Sequence, residues 1–267
     1  MLGNSLALTA PNKITGVGAG GAATPYVQKY VAFDGTDYLE LGTNGSATPI
    51  FTGQAALSEL SFCMWVNMTT AVTASVYHMW IAQLPAGPAC LQLNKSSTAV
   101  NSNRFRVRGF DSGGSQVFGV DSTTSVTAAT GLKCLLFSGI SGGACQFYWG
   151  DTDESNVLVP WAAGDVGFDA VDCFRFAHFT TGVNFIGECG GFALYPTRYD
   201  FSVQANRRLF IDGSGNPVSP PSGAIVKFGF EQGADALNGN AAQGWNDGYN
   251  QGSGGGTFTM TGAVTDV

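Results

Sequence analysis

Leu132-Lys133-Cys134-Leu135-Leu136-Phe137-Ser138 runs into Gly139-Ile140-Ser141-Gly142-Gly143 and then into Cys145-Gln146-Phe147-Tyr148-Trp149-Gly150. Two short apolar and aromatic runs on either side of a Gly/Ser cluster are the pattern of a β-hairpin. With the turn at residues 139–140, Cys134 and Cys145 face each other across it. A register shift of two keeps them on one face, and a shift of one puts them on opposite faces. A disulfide between Cys134 and Cys145 is therefore one expectation.

The same pattern extends outward in both directions. Upstream lie Tyr30–Phe33, Asp37–Leu41, Leu60–Val66, Tyr77–Leu84, Cys90–Asn94, Arg104–Phe110 and Gln116–Asp121, separated by Gly, Asn, Asp and Ser. Downstream, Cys173–Phe179 and Val183–Tyr195 read as a second hairpin about Thr181-Gly182, which gives Cys173 and Cys189 the same cross-hairpin relation. One helix is expected, with Ser202 as N-cap, Val203 to Ile211 as its body and Gly213 as its stop. Phe201, Val203 and Phe210 would pack on the sheets while Arg207 and Arg208 stay in water. Ala224–Phe230 and Phe258–Val264 complete the strands, with a Gly- and Asn-rich loop over 238–256. No repeat of fixed period is present. Many short strands with turn signals between them specify an all-β sandwich or barrel.

Composition narrows the partners. Charged residues are 12% of the 267, against about 25% in an average soluble domain, and the net charge is −7. A nucleic-acid binder needs a basic patch to neutralise phosphates, so neither nucleic acid nor an anionic membrane is an expected partner. No run reaches the ~18 apolar residues of a membrane span. Met1 to Leu8 lack the basic start and apolar core of a signal peptide, so synthesis in a cytoplasm is expected. Residues 1–28, with Gly16-Val17-Gly18-Ala19-Gly20-Gly21, read as an extended N-terminal arm, and 29–267 as the sandwich. The six cysteines, Cys63, Cys90, Cys134, Cys145, Cys173 and Cys189, contain no C-x-x-C pair. They are either buried small apolar side chains or partly bridged in an oxidising compartment.

Chemistry-bearing constellations are sparse. His78 and His178 sit singly in aromatic runs, without metal-ligand spacing. Glu40, Glu59, Glu154, Glu188 and Glu231 form no glycosidase-like carboxylate pair. Asp151, Asp153 and Glu154 cluster where a turn is expected, and no G-x-S-x-G elbow occurs. The reading is a non-enzyme with no metal and no cofactor. Arg104, Arg106 and Arg108 alternate with Phe105 and Val107 and so share one face of a strand. That face is either simply solvated or a docking stripe for an acidic partner. Trp65, Trp149 and Trp161 are either core residues or a sugar-stacking platform.

Two resemblances follow from specific runs. Tyr30-Val31-Ala32-Phe33-Asp34-Gly35-Thr36-Asp37-Tyr38-Leu39, Leu60–Val66, the 135–149 hairpin, Phe185-Ile186-Gly187-Glu188 and Gly191–Tyr195 resemble, in this order, the strands of laminin-G-like, concanavalin A-like jelly rolls. Asp200–Asp212 with Gly215-Asn216-Pro217-Val218, and the ending Gly254–Asp266, resemble structural proteins of tailed bacteriophages and prophages. The resemblances imply a jelly-roll β-sandwich with one short helix. They also imply a virion component, as capsid decoration, collar or tail protein, made in the host cytoplasm. It would assemble with other virion proteins, as a homo-oligomer. The alternative is a carbohydrate-binding module on a virion or cell surface, with a glycan as partner. The calcium ligands of some laminin-G relatives find no matching positions here.

Overall fold

The computed structural model describes residues 29–46, 48–51, 53–69, 77–85, 89–96, 103–127, 131–177, 185–229, 254 and 259–266. The expected arm over 1–28, His178 and most of the 238–256 loop lie outside them.

Strands alternate apolar and polar residues, and the apolar halves of two sheets face each other. The first sheet contains β1 (Val31–Asp34), β3 (Glu59–Asn67), β8 (Lys133–Ile140), β9 (Gln146–Trp149), β10 (Thr152–Asp153), β13 (Ile186–Tyr195), β14 (Val226–Phe228) and β16 (Thr265–Asp266). Its order is β10-β9-β8-β3-β13-β1-β16, with β14 also on β13. The second sheet contains β2 (Tyr38–Gly42), β4 (Tyr77–Gln83), β5 (Ala89–Ser96), β6 (Arg104–Phe110), β7 (Gln116–Asp121), β11 (Asn156–Val159), β12 (Cys173–Phe176) and β15 (Thr259–Thr261), in the order β11-β7-β6-β5-β4-β12-β2-β15. All pairings are antiparallel, so one face of each sheet packs inward and the other is left for other partners.

The inward face of β3 supplies Leu60, Phe62, Met64 and Val66 to the inter-sheet core. At its centre Trp80 of β4 lies 5.1 Å from Phe62 and stacks on Phe174 at 5.8 Å. The outward face of β3 is buried as well. There Cys63 and Trp65 join Cys134, Leu136, Tyr148, Tyr195, Phe201, Phe210 and Ile211 in a second apolar cluster. The segment that follows β13 thus folds back over the first sheet. It is fastened by the Tyr199 amide donating to Ser61 Oγ at 2.7 Å and by the Tyr195 hydroxyl donating to the Pro221 carbonyl at 2.9 Å.

Helix among the described residues is confined to α1 (Gln204–Arg207) and a 3-10 turn at Phe168–Ala170. The expected helix over 203–211 is present but shorter. Ser202 does not cap it; its hydroxyl donates to Asp200 instead. Phe201 and Phe210 pack as expected, but Val203 is exposed. Arg207 does not stay in water: its guanidinium lies 4.9 Å above the Tyr148 ring and bonds the Phe201 carbonyl and Asp151.

Both expected disulfides are absent: Cys134, Cys145, Cys173 and Cys189 are free thiols, as are Cys63 and Cys90, and all six are buried. For Cys134 and Cys145 the reason is register. The hairpin does form, but β8 runs on through Gly139 and Ile140 because these pair with Leu60 and Glu59 of β3. The turn is therefore displaced to Ser141-Gly142-Gly143, with Gly142 at φ 73°. Leu135 then faces Trp149, and Cys134 falls on the outer cluster while Cys145 falls in the inter-sheet core. For Cys173 and Cys189 the reason is topology. β12 and β13 do not pair as a hairpin but lie in different sheets: Cys173 is opposite Gly42 and Gln83, whereas Cys189 is opposite Val31 and Val66.

Candidate functional site

Two regions carry polar chemistry on this frame, one at the start of β8 and one on the outer face of the second sheet.

At the first, the β9–β10 turn and the turn at Asp212–Asn216 stand on either side of Lys133. Asp212 shapes its own turn by accepting from the Ser214 and Asn216 amides, both at 2.8 Å. Between the turns lies a cleft of about 370 Å³ lined by Trp65, Leu132, Lys133, Cys134, Trp149–Thr152 and Gly213–Gly215. A second recess of about 280 Å³ shares Lys133, Trp149 and Thr152 with it and adds Thr124 and Glu154. Strand alternation explains the layout: Trp65 packs in the outer cluster and Trp149 in the inter-sheet core, and both are largely buried where they line the cleft. Lys133 is exposed, and among the described residues its ammonium has no hydrogen-bond or ion-pair partner.

The carboxylates here are occupied. Asp151 accepts from Arg208 at 2.8 and 2.9 Å and from Arg207 at 2.9 Å. The Arg208 hydrogen bond, with that of Arg207, holds its carboxyl below the ordinary carboxylate range. Glu154 accepts from the hydroxyls of Thr123 and Thr124 and from the Thr124 amide at 2.7 Å. Both carboxylates are thus engaged by neighbouring side chains, and Asp151 is held in its charged form. The Trp platform expected as one reading is only half assembled. Trp65 and Trp149 meet at one cleft, but Trp161 is a core residue, 4.7 Å from Phe118, with its indole N–H donating to the Gly164 carbonyl.

At the second region, Arg104, Arg106 and Arg108 do share the outer face of β6, opposite Phe105 and Val107 in the core. They are not equivalent. Arg106 is buried and makes a two-pronged ion pair with Asp121 of β7, at 2.6 and 2.8 Å, so its charge is spent inside the sheet. Farther across, Arg175 of β12 joins Glu40 of β2 and Gln83 of β4. Between these pairs Arg108 is half-buried, opposite Gln92 of β5 and Gly119 of β7. Burial first, and the neighbouring Arg106 charge second, push its pKa down. Sequence reading misses Asp121, Lys133 and the lid formed by the 199–211 segment. The first was accessible: Arg106 and Asp121 are equidistant from the Gly113-Gly114 turn.

No family model matches the chain, and no curated protein does. Among solved structures it is similar to a "putative carbohydrate binding protein" from Bacteroides ovatus, with a TM-score of 0.56 and 13% identity over 91% of this chain and 60% of that one. The chain is an all-β, two-sheet sandwich of the jelly-roll kind. It therefore spans about 60% of the length of that protein. It is similar also to the LG1-3 region of the laminin alpha2 chain, with a TM-score of 0.44 and 13% identity over 65% of this chain and 32% of that one. A third likeness is to the CBM40 module of a Ruminococcus gnavus sialidase bound to sialyllactose, with a TM-score of 0.44 and 10% identity over 64% of this chain and 96% of the module. At these identities the likeness is one of fold.

Proposed function

We propose that this sandwich is a non-catalytic carbohydrate-binding domain and that the cleft around Lys133 is a saccharide site. The observation that carries the reading is the lining. Two tryptophans, a free ammonium, the Thr152 hydroxyl and the glycine-rich backbone of two turns suit a ligand with both apolar C–H surface and many hydroxyls. The fold likeness to the Bacteroides ovatus protein is consistent with it. Occupation of Asp151 and Glu154 by arginines and threonines supports binding over hydrolysis at this place.

Gly213 offers a clean test. It lines the cleft, its φ lies outside the left-handed region, and a Cβ there meets nothing within 4 Å. Gly213→Tyr fills the cleft without disturbing either core. Titration of the full chain with a panel of neutral oligosaccharides should show binding that falls at least tenfold in Gly213→Tyr, with an unchanged melting temperature. Equal binding by both proteins rejects the cleft.

The resemblance of the 200–218 segment to phage structural proteins supports a second, compatible proposal: the domain is displayed on a particle and assembles there. Mass-spectrometric stoichiometry of purified particles tests it, and absence from every particle fraction rejects it.

A further inference from the structure

The outer face of the second sheet carries a charge without an ion-pair partner of its own: Asp121, whose two oxygens are held by Arg106, offsets it only at a distance. Its other buried ions are matched in place: Arg106 by Asp121, and Arg175 by Glu40 with Gln83. Arg108 lies between these pairs, and among the described residues its guanidinium has no hydrogen-bond or ion-pair partner. Its surroundings are polar. On one side the facing position is Gly119, which has no side chain, and the Gln116 amide lies over it, within 2.5 Å of where a Cβ would stand. On the other side is Gln92, with Asn94 one pleat along; both are more than nine-tenths buried. Among the described residues neither amide has a hydrogen-bond partner, and neither is among the polar atoms sealed from both partner and solvent.

We infer that Arg108, with Gln92 and Asn94, forms a binding site for the carboxylate of an acidic saccharide, separate from the cleft at Lys133.

The chemistry follows from the side chains. A guanidinium presents two parallel N–H groups that match the two oxygens of a carboxylate. Half-burial strengthens that pairing relative to a fully solvated arginine. Flanking amides supply both donors and acceptors, which is what the ring hydroxyls beside a uronate carboxylate require. Burial and the Arg106 charge lower the pKa of Arg108 in spite of the opposing pull of Asp121, the sign expected for a partly desolvated cation with no ion pair of its own. Arg104 lies on the same face, roughly 13 Å along the strand, and gives a longer acidic chain a second, partly exposed cation. Net charge of −7 opposes anionic ligands at long range. Attraction is thus confined to this local site, and moderate salt, which screens distant repulsion first, should weaken binding only gradually.

The test compares the full chain with Arg108→Gln and Arg108→Lys by calorimetric titration against trigalacturonate, its carboxyl-reduced neutral counterpart, and a glutamate hexapeptide. The expected result is trigalacturonate binding that Arg108→Gln weakens at least tenfold. Arg108→Lys, which keeps the charge but loses the planar fork, should recover only part of it. The neutral trimer should be indifferent to both changes. Arg108→Gln should melt at the same temperature as the parent or higher, because it removes an unpaired, half-buried charge. Gly213→Tyr should still bind trigalacturonate, so failure of the cleft and failure of this site are separable. No binding of trigalacturonate, equal binding by Arg108→Gln, or tighter binding of the peptide overturns the inference. A lowered melting temperature in Arg108→Gln also overturns it, since it would mean that Arg108 already has a structural partner.

Discussion

The six thiols, two pairs of which the strand pattern placed opposite one another, are all buried and unbridged. Each of the six is buried, and burial raises its pKa: to about 12 for Cys63, Cys145 and Cys173, and well above the ordinary value for Cys90, Cys134 and Cys189. A thiol kept protonated in the fold is inert as nucleophile and as metal ligand. A thiol-specific reagent should therefore label none of the six in the native chain and all six after denaturation without reductant. Four or fewer labelled thiols in denaturant would restore a disulfide. The shift also fixes the response to base. Above the ordinary thiol pKa of 9.0 the unfolded chain releases protons that the folded chain retains. Stability from this source is complete below that pH and is lost as pH rises toward 12. Each thiol contributes up to about 1.4 kcal/mol per pH unit. Melting temperature should be level from neutrality to about pH 8 and drop steeply beyond pH 9; a level profile to pH 11 contradicts the burial of these groups.

Among the elements, the β6–β7 hairpin shows how one ion pair organises a sheet face. Asp121 is fully buried and its two oxygens are taken by Arg106. Asp121→Ala leaves Arg106 uncompensated beside Arg108, and such a broken buried pair costs about 3–5 kcal/mol. Chemical denaturation should show a loss of that size, and a loss under about 1 kcal/mol would mean that the pair is solvated. As a hairpin this pair was legible in advance from the Gly113-Gly114 turn, but the bulge at Gly109/Phe110 next to that turn shifts the register, and the Arg106–Asp121 pairing lies beyond it. The β8–β9 hairpin was legible as a hairpin but not in register. A glycine-rich run of five residues permits several turns, and the choice among them is made by β3, pairing along the far side of β8 through Ile140. Local sequence has no access to that partner. The same limit explains Cys173–Tyr195. A Thr-Gly turn signal between two apolar runs says that the chain reverses there; it does not say whether the reversal stays in one sheet or crosses to the other. The lid segment was half visible. Phe201 and Phe210 announced an apolar face, but the single helical turn and the use of Arg207 as a clamp on Tyr148 depend on the sheet beneath it.

For the whole molecule, the two sheets account for the buried apolar residues, and the lid gives the first sheet a second core on its outer side. That division of labour leaves two polar features at the surface: the cleft beside β8, and the half-buried Arg108 on the opposite sheet. Both derive from the residues singled out by the sequence, but from parts of each set. Of the three tryptophans two reach the cleft; of the three arginines the central one is spent on Asp121 and its neighbour is left free. Neither distinction is written in the strand pattern, because alternation fixes the face of a side chain and not its partner across the sheet. A sandwich that binds saccharides as proposed should hold them and leave them intact. The most direct measurement incubates the full chain with a defined panel of neutral and uronic oligosaccharides, separates bound from free by ultrafiltration, and analyses both fractions by mass spectrometry. The account predicts selective retention of some members, each recovered at its original mass. Retention of none, or recovery of any retained sugar as shorter products, would contradict it.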